Sequence, residues 1–308
     1  MGTGFQDRPF DVDGAGKGPG IRRVVRAKVS TWWTIMRIAL EERLVYRGDF
    51  ALGTLMRFLP IITQIFLWSA IFMAIGGGDM QGQEIKGFTI NTMIAYYLLT
   101  MMGRAFSSMP GLSSGIALQV RNGEIKKFLI QPIDMVGFLL LNRVAHKLVY
   151  YGVAFLPFAL VFWLCGGYFS EHFQHSAASW PSATRLAVFV LSMVLGFLLG
   201  FFLEVCIGLI SFWFLEVTSL LFIYMLMNFF LSGHMFPLDL LPETARMVVN
   251  WLPFKYLAYF PAAVFLGLVP ESRLWHELAM EAGWVLFFLF ASRLMLDRGL
   301  RRYSGFGG

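Results

Sequence analysis

Six long apolar runs constrain this chain more than anything else in it: Phe50–Ile75, Thr89–Arg104, Leu148–Gly166, Leu186–Ile210, Leu215–Gly233 and Leu278–Leu296. A hydrocarbon layer about 30 Å thick takes roughly 20 helical residues to cross. Inside it, backbone polar groups find no water, so runs of this length are read as helices that satisfy themselves. The chain is therefore expected to be all-α, a polytopic membrane protein with six transmembrane helices. The fourth and fifth runs form one stretch too long for a single crossing, which places a tight turn near Ser211–Glu216. The second run is short and includes polar Thr and Asn. Composition agrees, since 57% of the 308 residues are hydrophobic and 14% charged, against roughly 45–50% and 25% in soluble domains.

The basic residues suggest an orientation. Nine Lys and Arg precede the first run, whereas Gly76–Phe88 has only Lys86 and Gly167–Thr184 has none. Arg121, Lys126, Lys127, Arg143 and Lys147 follow the second run, and Arg298, Arg301 and Arg302 follow the last. By the positive-inside rule both termini are expected in the cytoplasm of a multi-pass inner-membrane protein. The net charge of +6 is then charge facing anionic lipid, and a nucleic-acid partner is not needed to explain it. Met1–Gly20 reads as a disordered tail and 21–308 as one permease domain, with no cleavable signal peptide.

Two amphipathic segments flank the runs. Val25, Val29, Trp32, Trp33, Met36, Ala39 and Leu40 recur at helical spacing between Val24 and Arg47, with charges between them. That pattern predicts a helix lying in the inner interface. Met135–Lys147 reads either as a shallow segment or as part of a longer tilted helix.

Catalytic patterns fail one by one. Around Gly14–Gly20 a phosphate loop lacks its first Gly and its Ser/Thr, and His276-Glu277 lacks a second His because Met280 stands there. Cys165 and Cys206 have no ligand spacing, and His172 and His175 lack a third ligand. The expectation is a non-catalytic chain that binds no cofactor or metal. A membrane-embedded transferase or hydrolase, and a secondary transporter, are the alternative classes.

Charges inside the runs carry more information, because they are costly in lipid. Arg57 is placed to snorkel and Glu216 falls near a turn, but Glu204 belongs to a stripe Ser192, Gly196, Gly200, Glu204, Gly208. This face serves close helix packing or, alternatively, a polar pathway past Glu204. Between Ser232 and Gly267, the segment with Phe236, Pro237, Pro242, Pro253 and Pro261 is interrupted too often for one helix. It is expected to form short helices re-entering the outer leaflet over about 232–270, as a plug or an outer gate.

The motif SGHMFPLDLLP, the hairpin LPFKYLAYFPAAVFLG and a final run resemble the permease of type-2 ABC exporters. RNGEIKKFLIQPID is similar to the element N-G-E-[IL]-x-x-x-L-[IL]-x-P of a bacterial six-helix subfamily, matching at Asn122, Gly123, Glu124, Ile125, Leu129, Ile130 and Pro132. The resemblance implies a dimer, homomeric or heteromeric, that pairs with an ABC ATPase dimer holding ATP and Mg. It also implies that the inner loop 110–134 docks into the ATPase through Arg121, Asn122, Gly123, Glu124, Lys126 and Lys127. Ile116, Leu118, Val120, Ile125 and Phe128 are expected to anchor that loop, with Asp134 capping the next helix.

Overall fold

Leu, Val, Phe and Met fill three helices that are each long and apolar enough to cross a bilayer alone: α6 (Met135–Leu164), α8 (Ala183–Leu209, extended by a 3₁₀ turn to Phe212) and α12 (Glu271–Arg302). They belong to a computed structural model that describes residues 21–45, 47–77, 83–131, 133–175, 180–214 and 216–303. The remaining helices are α1 (Ile21–Val45), α2 (Arg47–Ile75), α3 (Ile90–Ser107), α4 (Leu112–Arg121), α5 (Lys126–Ile130), α7 (Gly166–His175), α9 (Thr218–Leu231), α10 (Glu243–Trp251) and α11 (Tyr259–Phe265). Apolar segments Leu59–Ile75 and Thr218–Leu231 are shorter. Among the described residues there is no strand, only an isolated pairing of Ile85 with Phe88. The tail expectation for Met1–Gly20 lies outside the described residues, as do Pro132 and the side chains of Arg57 and His175.

α8 is the hub, packed against α12, α3, α4 and α11. Its hydropathy and its four-residue glycine spacing produce that role together, since the glycines let neighbouring backbones approach. α3 is nearly all interior: Met93, Ile94, Ala95, Tyr96, Leu98 and Leu99 are buried on every side of it. By contrast α2, α6, α9 and α12 display Phe66, Phe155, Trp163, Phe222, Met225 and Phe290 outward. Apolar surface on that scale is not left to water, which makes this a membrane protein crossing the bilayer several times.

The turn expected near Ser211–Glu216 falls between Phe212 and Thr218. Met135–Lys147 is the first half of one unbroken 30-residue helix, so of the two readings the longer helix is realised. Asp134 caps it by accepting the Gly137 N–H at 2.6 Å. α1 packs on α6, and a Cβ at Gly137 would stand 3.0 Å from the Trp32 ring. Between the third and fourth runs, the stretch without Lys or Arg is helical over Gly166–His175. His172 fixes that helix: its ring nitrogens meet the Thr92 hydroxyl at 2.8 Å and the Leu266 carbonyl at 3.1 Å.

The short second run has a structural explanation. α3 stops at Ser107, and a turn through Ser108–Gly111, with Gly111 at φ +71°, leads into α4. Both helices lie along α8. A Cβ at Gly200 would run into the Ser107 carbonyl, and one at Gly208 would stand 2.8 Å from Ile116 Cβ and 2.9 Å from the Ser113 carbonyl. Those contacts are eight residues apart on α8, or about 12 Å. α3 and α4 thus form one broken rod. The carbonyls freed by the break are satisfied from α6, where Lys147 donates to Ala105 and Ser108 and Arg143 donates to Pro110. Buried polar backbone requires such partners.

Candidate functional site

The inner loop is built as α4, a tight turn and α5. Gly123 occupies the turn at φ +75°, a conformation that glycine adopts without penalty. Ile116, Val120 and Ile125 are buried beneath it, and Phe128 packs on Phe138 with ring centres 5.5 Å apart. Leu118 does not anchor. It is exposed, because α4 turns only its Ile116 and Val120 face toward α8. Arg121, Asn122, Glu124, Lys126 and Lys127 are all exposed, and Gly123 is buried. Leu129 and Ile130 stand in the open beside them, Ile130 at 81% exposure. The tip is therefore mixed, with charges surrounding uncovered apolar side chains. Arg121 also approaches Glu216 at 3.8 Å. Hydrogen bonds from Thr218 hold the Glu216 carboxyl below its ordinary pKa, with Arg121 a lesser contributor.

Along the stripe, Gly196 faces the Tyr256 carbonyl, Gly200 faces Ser107 and Gly208 faces α4. Glu204 sits between the last two and accepts the Ser113 N–H at 3.2 Å. Ser192 is fully buried next to Glu281, a carboxylate on α12 that is also fully buried.

The proline-rich segment folds back into the bundle. Ser232 accepts the Tyr259 N–H, Tyr96 and Tyr97 donate to the Gly233 and Met235 carbonyls at 2.5 Å, and Ser107 donates to Leu257 at 2.7 Å. Pro237, Pro253 and Pro261 are buried, Phe236 is half-buried and Pro242 is exposed at the start of α10. Buried Lys255 pairs with Glu277 at 2.8 Å, and the Tyr256 hydroxyl donates to the same carboxylate at 2.9 Å. The sequence reading passed over this cluster. The signal was present in an ionisable Lys255 among apolar residues, with Glu277 and Glu281 one turn apart on the last helix.

Two cavities meet at Arg104. One, of about 350 Å³, is lined by Ser107, Ser113, Glu204, Tyr224 and Asn228. The other, of about 520 Å³, lies among α2, α3, α6 and the segment following α9.

A buried helical hub, outward-facing apolar helices and internal cavities define a multi-pass membrane protein. Residues 58–307 match the ABC-2 family transporter proteins, and the chain belongs to that family. It is also similar to the polysialic acid transport protein KpsM of Escherichia coli, with 24% identity over 256 residues covering 82% of this chain and 90% of that protein. ABC-2 permeases in general work with ABC ATPase partners.

Proposed function

We propose that this chain is the membrane-spanning subunit of an ATP-driven exporter and works as a dimer. It couples to a separate ABC ATPase through the tip at Arg121–Lys127. Six crossings follow if α3 and α4 count as one, alongside α2, α6, α8, α9 and α12. Both termini then lie inside, and the proline-rich segment re-enters from outside as a gate or plug. ATP and Mg reside in the ATPase, so this chain performs no catalysis. The relative KpsM, named for polysialic acid transport, supports a transport role.

One observation carries the coupling. The exposed tip, with its uncovered Leu129 and Ile130, is mounted on a helix locked to the hub at Gly208. Exposed charges beside open apolar side chains describe a surface that another protein covers, since charges set register and apolar contacts supply affinity.

The test is copurification with ABC ATPases from the same organism, with permease-dependent ATP hydrolysis as readout. The double variant Glu124→Ala/Lys127→Ala and the single variant Ile130→Asp should each lower complex formation at least tenfold without shifting thermal stability. Unchanged hydrolysis and copurification in both would refute docking at this tip.

A further inference from the structure

We infer that the contact between α8, α12 and the folded-back segment is a binding site for a small monovalent cation, a sodium ion or a proton, with the Glu281 carboxylate as its anionic ligand. The inference does not depend on the ATPase coupling proposed above.

Glu281 lies about three turns into α12. It has no exposed surface, and neither of its carboxylate oxygens has a hydrogen-bond partner among the described residues. A buried carboxylate in that condition is very costly and persists where a positive charge neutralises it. No described side chain supplies that charge. α12 packs on α8 and on the 3₁₀ turns Ile210–Phe212 and Pro253–Leu257. From the second of these turns, Lys255 pairs with Glu277 at 2.8 Å and the Tyr256 hydroxyl donates to the same carboxylate at 2.9 Å. On α8, Arg185 pairs with Glu271 at 3.3 Å, and the Cys206 thiol meets the Phe288 carbonyl at 3.6 Å. Glu204 is twelve residues beyond Ser192, roughly 18 Å along the helix. The turn Ile210–Phe212 has no ionisable side chain. Lys255 therefore balances Glu277, and the charge of Glu281 is left over, with Glu277 as a like-charged neighbour.

The oxygens around Glu281 suit a hard cation. Ser192 Oγ, beside it on α8, is also fully buried without a hydrogen-bond partner. One turn further, Gly196 leaves a notch: a Cβ there would stand 3.2 Å from the Tyr256 carbonyl oxygen and 3.7 Å from Glu281 Oε1. Apart from the backbone of α8 and the residues flanking Gly196, these two oxygens are the only described atoms within 4 Å. Two oxygens from different elements thus look onto one methyl-sized space. Hard cations take carboxylate and backbone carbonyl oxygens. Tyr256 belongs to a 3₁₀ turn, and carbonyls of such non-α-helical backbone are available to small cations inside membranes. A proton needs less room, since it resides on the Glu281 carboxyl and is shared with the Ser192 hydroxyl.

The experiment uses the full chain in phosphatidylcholine nanodiscs without any ATPase, so its failure leaves the coupling proposal standing. Equilibrium dialysis against radioactive sodium, with choline keeping the ionic strength constant, counts bound ions, and infrared difference spectra report a protonated carboxylic acid. A sodium site should bind one ion per chain, and the unfolding temperature should rise by at least about 2 °C for each tenfold increase in sodium above half-saturation. A proton site should bind no sodium and show a carboxylic acid band. Because the native chain then holds a proton that the unfolded chain has lost, its unfolding temperature should fall between about pH 6 and 9. Glu281→Gln should abolish whichever signal the native chain gives. Ser192→Ala and Gly196→Ala should each weaken sodium binding at least tenfold, whereas Glu271→Gln should leave it unchanged. A native chain with neither sodium binding nor a carboxylic acid band that Glu281→Gln removes would overturn the inference, as would sodium binding that survives Glu281→Gln. If thermal unfolding shows that Glu281→Gln does not fold, Glu281→Met, similar in volume and uncharged, takes its place.

Discussion

Replacing the glycines of α8 by alanine should give a graded series whose order follows from distances alone. An alanine gains about 1 kcal/mol over glycine in a helix interior from backbone entropy. Against this stands the contact its methyl would make. At Gly283 on α12 a Cβ meets nothing within 4 Å, so Gly283→Ala should be neutral to stabilising by up to about 1 kcal/mol. At Gly196 it meets the Tyr256 carbonyl at 3.2 Å, a contact that a small shift relieves, so the two effects nearly cancel. At Gly208 it stands 2.8 Å from Ile116 Cβ and 2.9 Å from a backbone carbonyl, and at Gly200 it overlaps the Ser107 carbonyl outright. Neither neighbour can swing aside, since one is backbone and the other a β-branched stem. Overpacking of this kind costs about 1–3 kcal/mol, and Gly200 belongs at or above the top of that range. The assay is thermal unfolding of purified protein in one detergent, where about 1 kcal/mol corresponds to a few degrees for a chain of this size. The expected order of stability is Gly283→Ala, then Gly196→Ala, Gly208→Ala and Gly200→Ala. A Gly200→Ala variant as stable as Gly283→Ala would refute the close approach of α3 to α8 from which the broken rod is deduced.

Three other outcomes follow. Lys147→Met keeps the stem but leaves the Ala105 and Ser108 carbonyls without their donor; at about 1–3 kcal/mol for each buried orphan, unfolding should come several degrees earlier. Asp134→Ala removes the cap of α6 and the partner of Arg293 and should cost about 1 kcal/mol, whereas Asp134→Asn, which still caps, should cost less by the same thermal measurement. Burial holds the His172 imidazole below its ordinary pKa, opposed by its bond to the Leu266 carbonyl. The stability tied to neutral His172 is thus present above about pH 6.5, the unfolded value, and is lost as pH falls through the lower folded value. Thermal stability should drop between pH 7.5 and 5 in the native chain and less in His172→Gln.

How much was legible in the sequence depended on whether a feature was written locally. The third, fourth and sixth apolar runs, the turn before Thr218 and the Asp134 cap depend on residues adjacent in the chain, and they are found where the pattern puts them, whereas the first and fifth runs give shorter apolar helices. The break between α3 and α4 depends instead on Gly200 and Gly208, nearly a hundred residues away. Ser-Ser-Met-Pro-Gly therefore reads as the end of an apolar run and not as a break between two helices that lie along α8. Arg143 and Lys147 count as positive-inside charges in the sequence, yet in the fold both donate to the carbonyls that this break exposes. The contacts that hold α7, from His172 to Thr92 and Leu266, are tertiary and not written locally. At the tip, the exposed charges were legible, whereas the exposure of Leu118, Leu129 and Ile130 was not, since an apolar residue carries no sign of which face will be covered.

Ser107 ties these separate features into one mechanical arrangement. Its hydroxyl holds the Leu257 carbonyl in the proline-rich segment, its own carbonyl is pressed against Gly200, and α4 starts five residues later. α4 spans about 15 Å from there to the tip. The tip and the proline-rich segment are therefore attached to the same end of α3 and are separated by one short helix. α4 is packed closely against α8 at Gly208, as dense interiors are. Between α3 and α4, the Ser108–Gly111 turn forms part of the walls of both cavities, and Lys147 and Arg143 hold its backbone. This turn and α8 together join the exposed surface, the buried cavities and the folded-back segment.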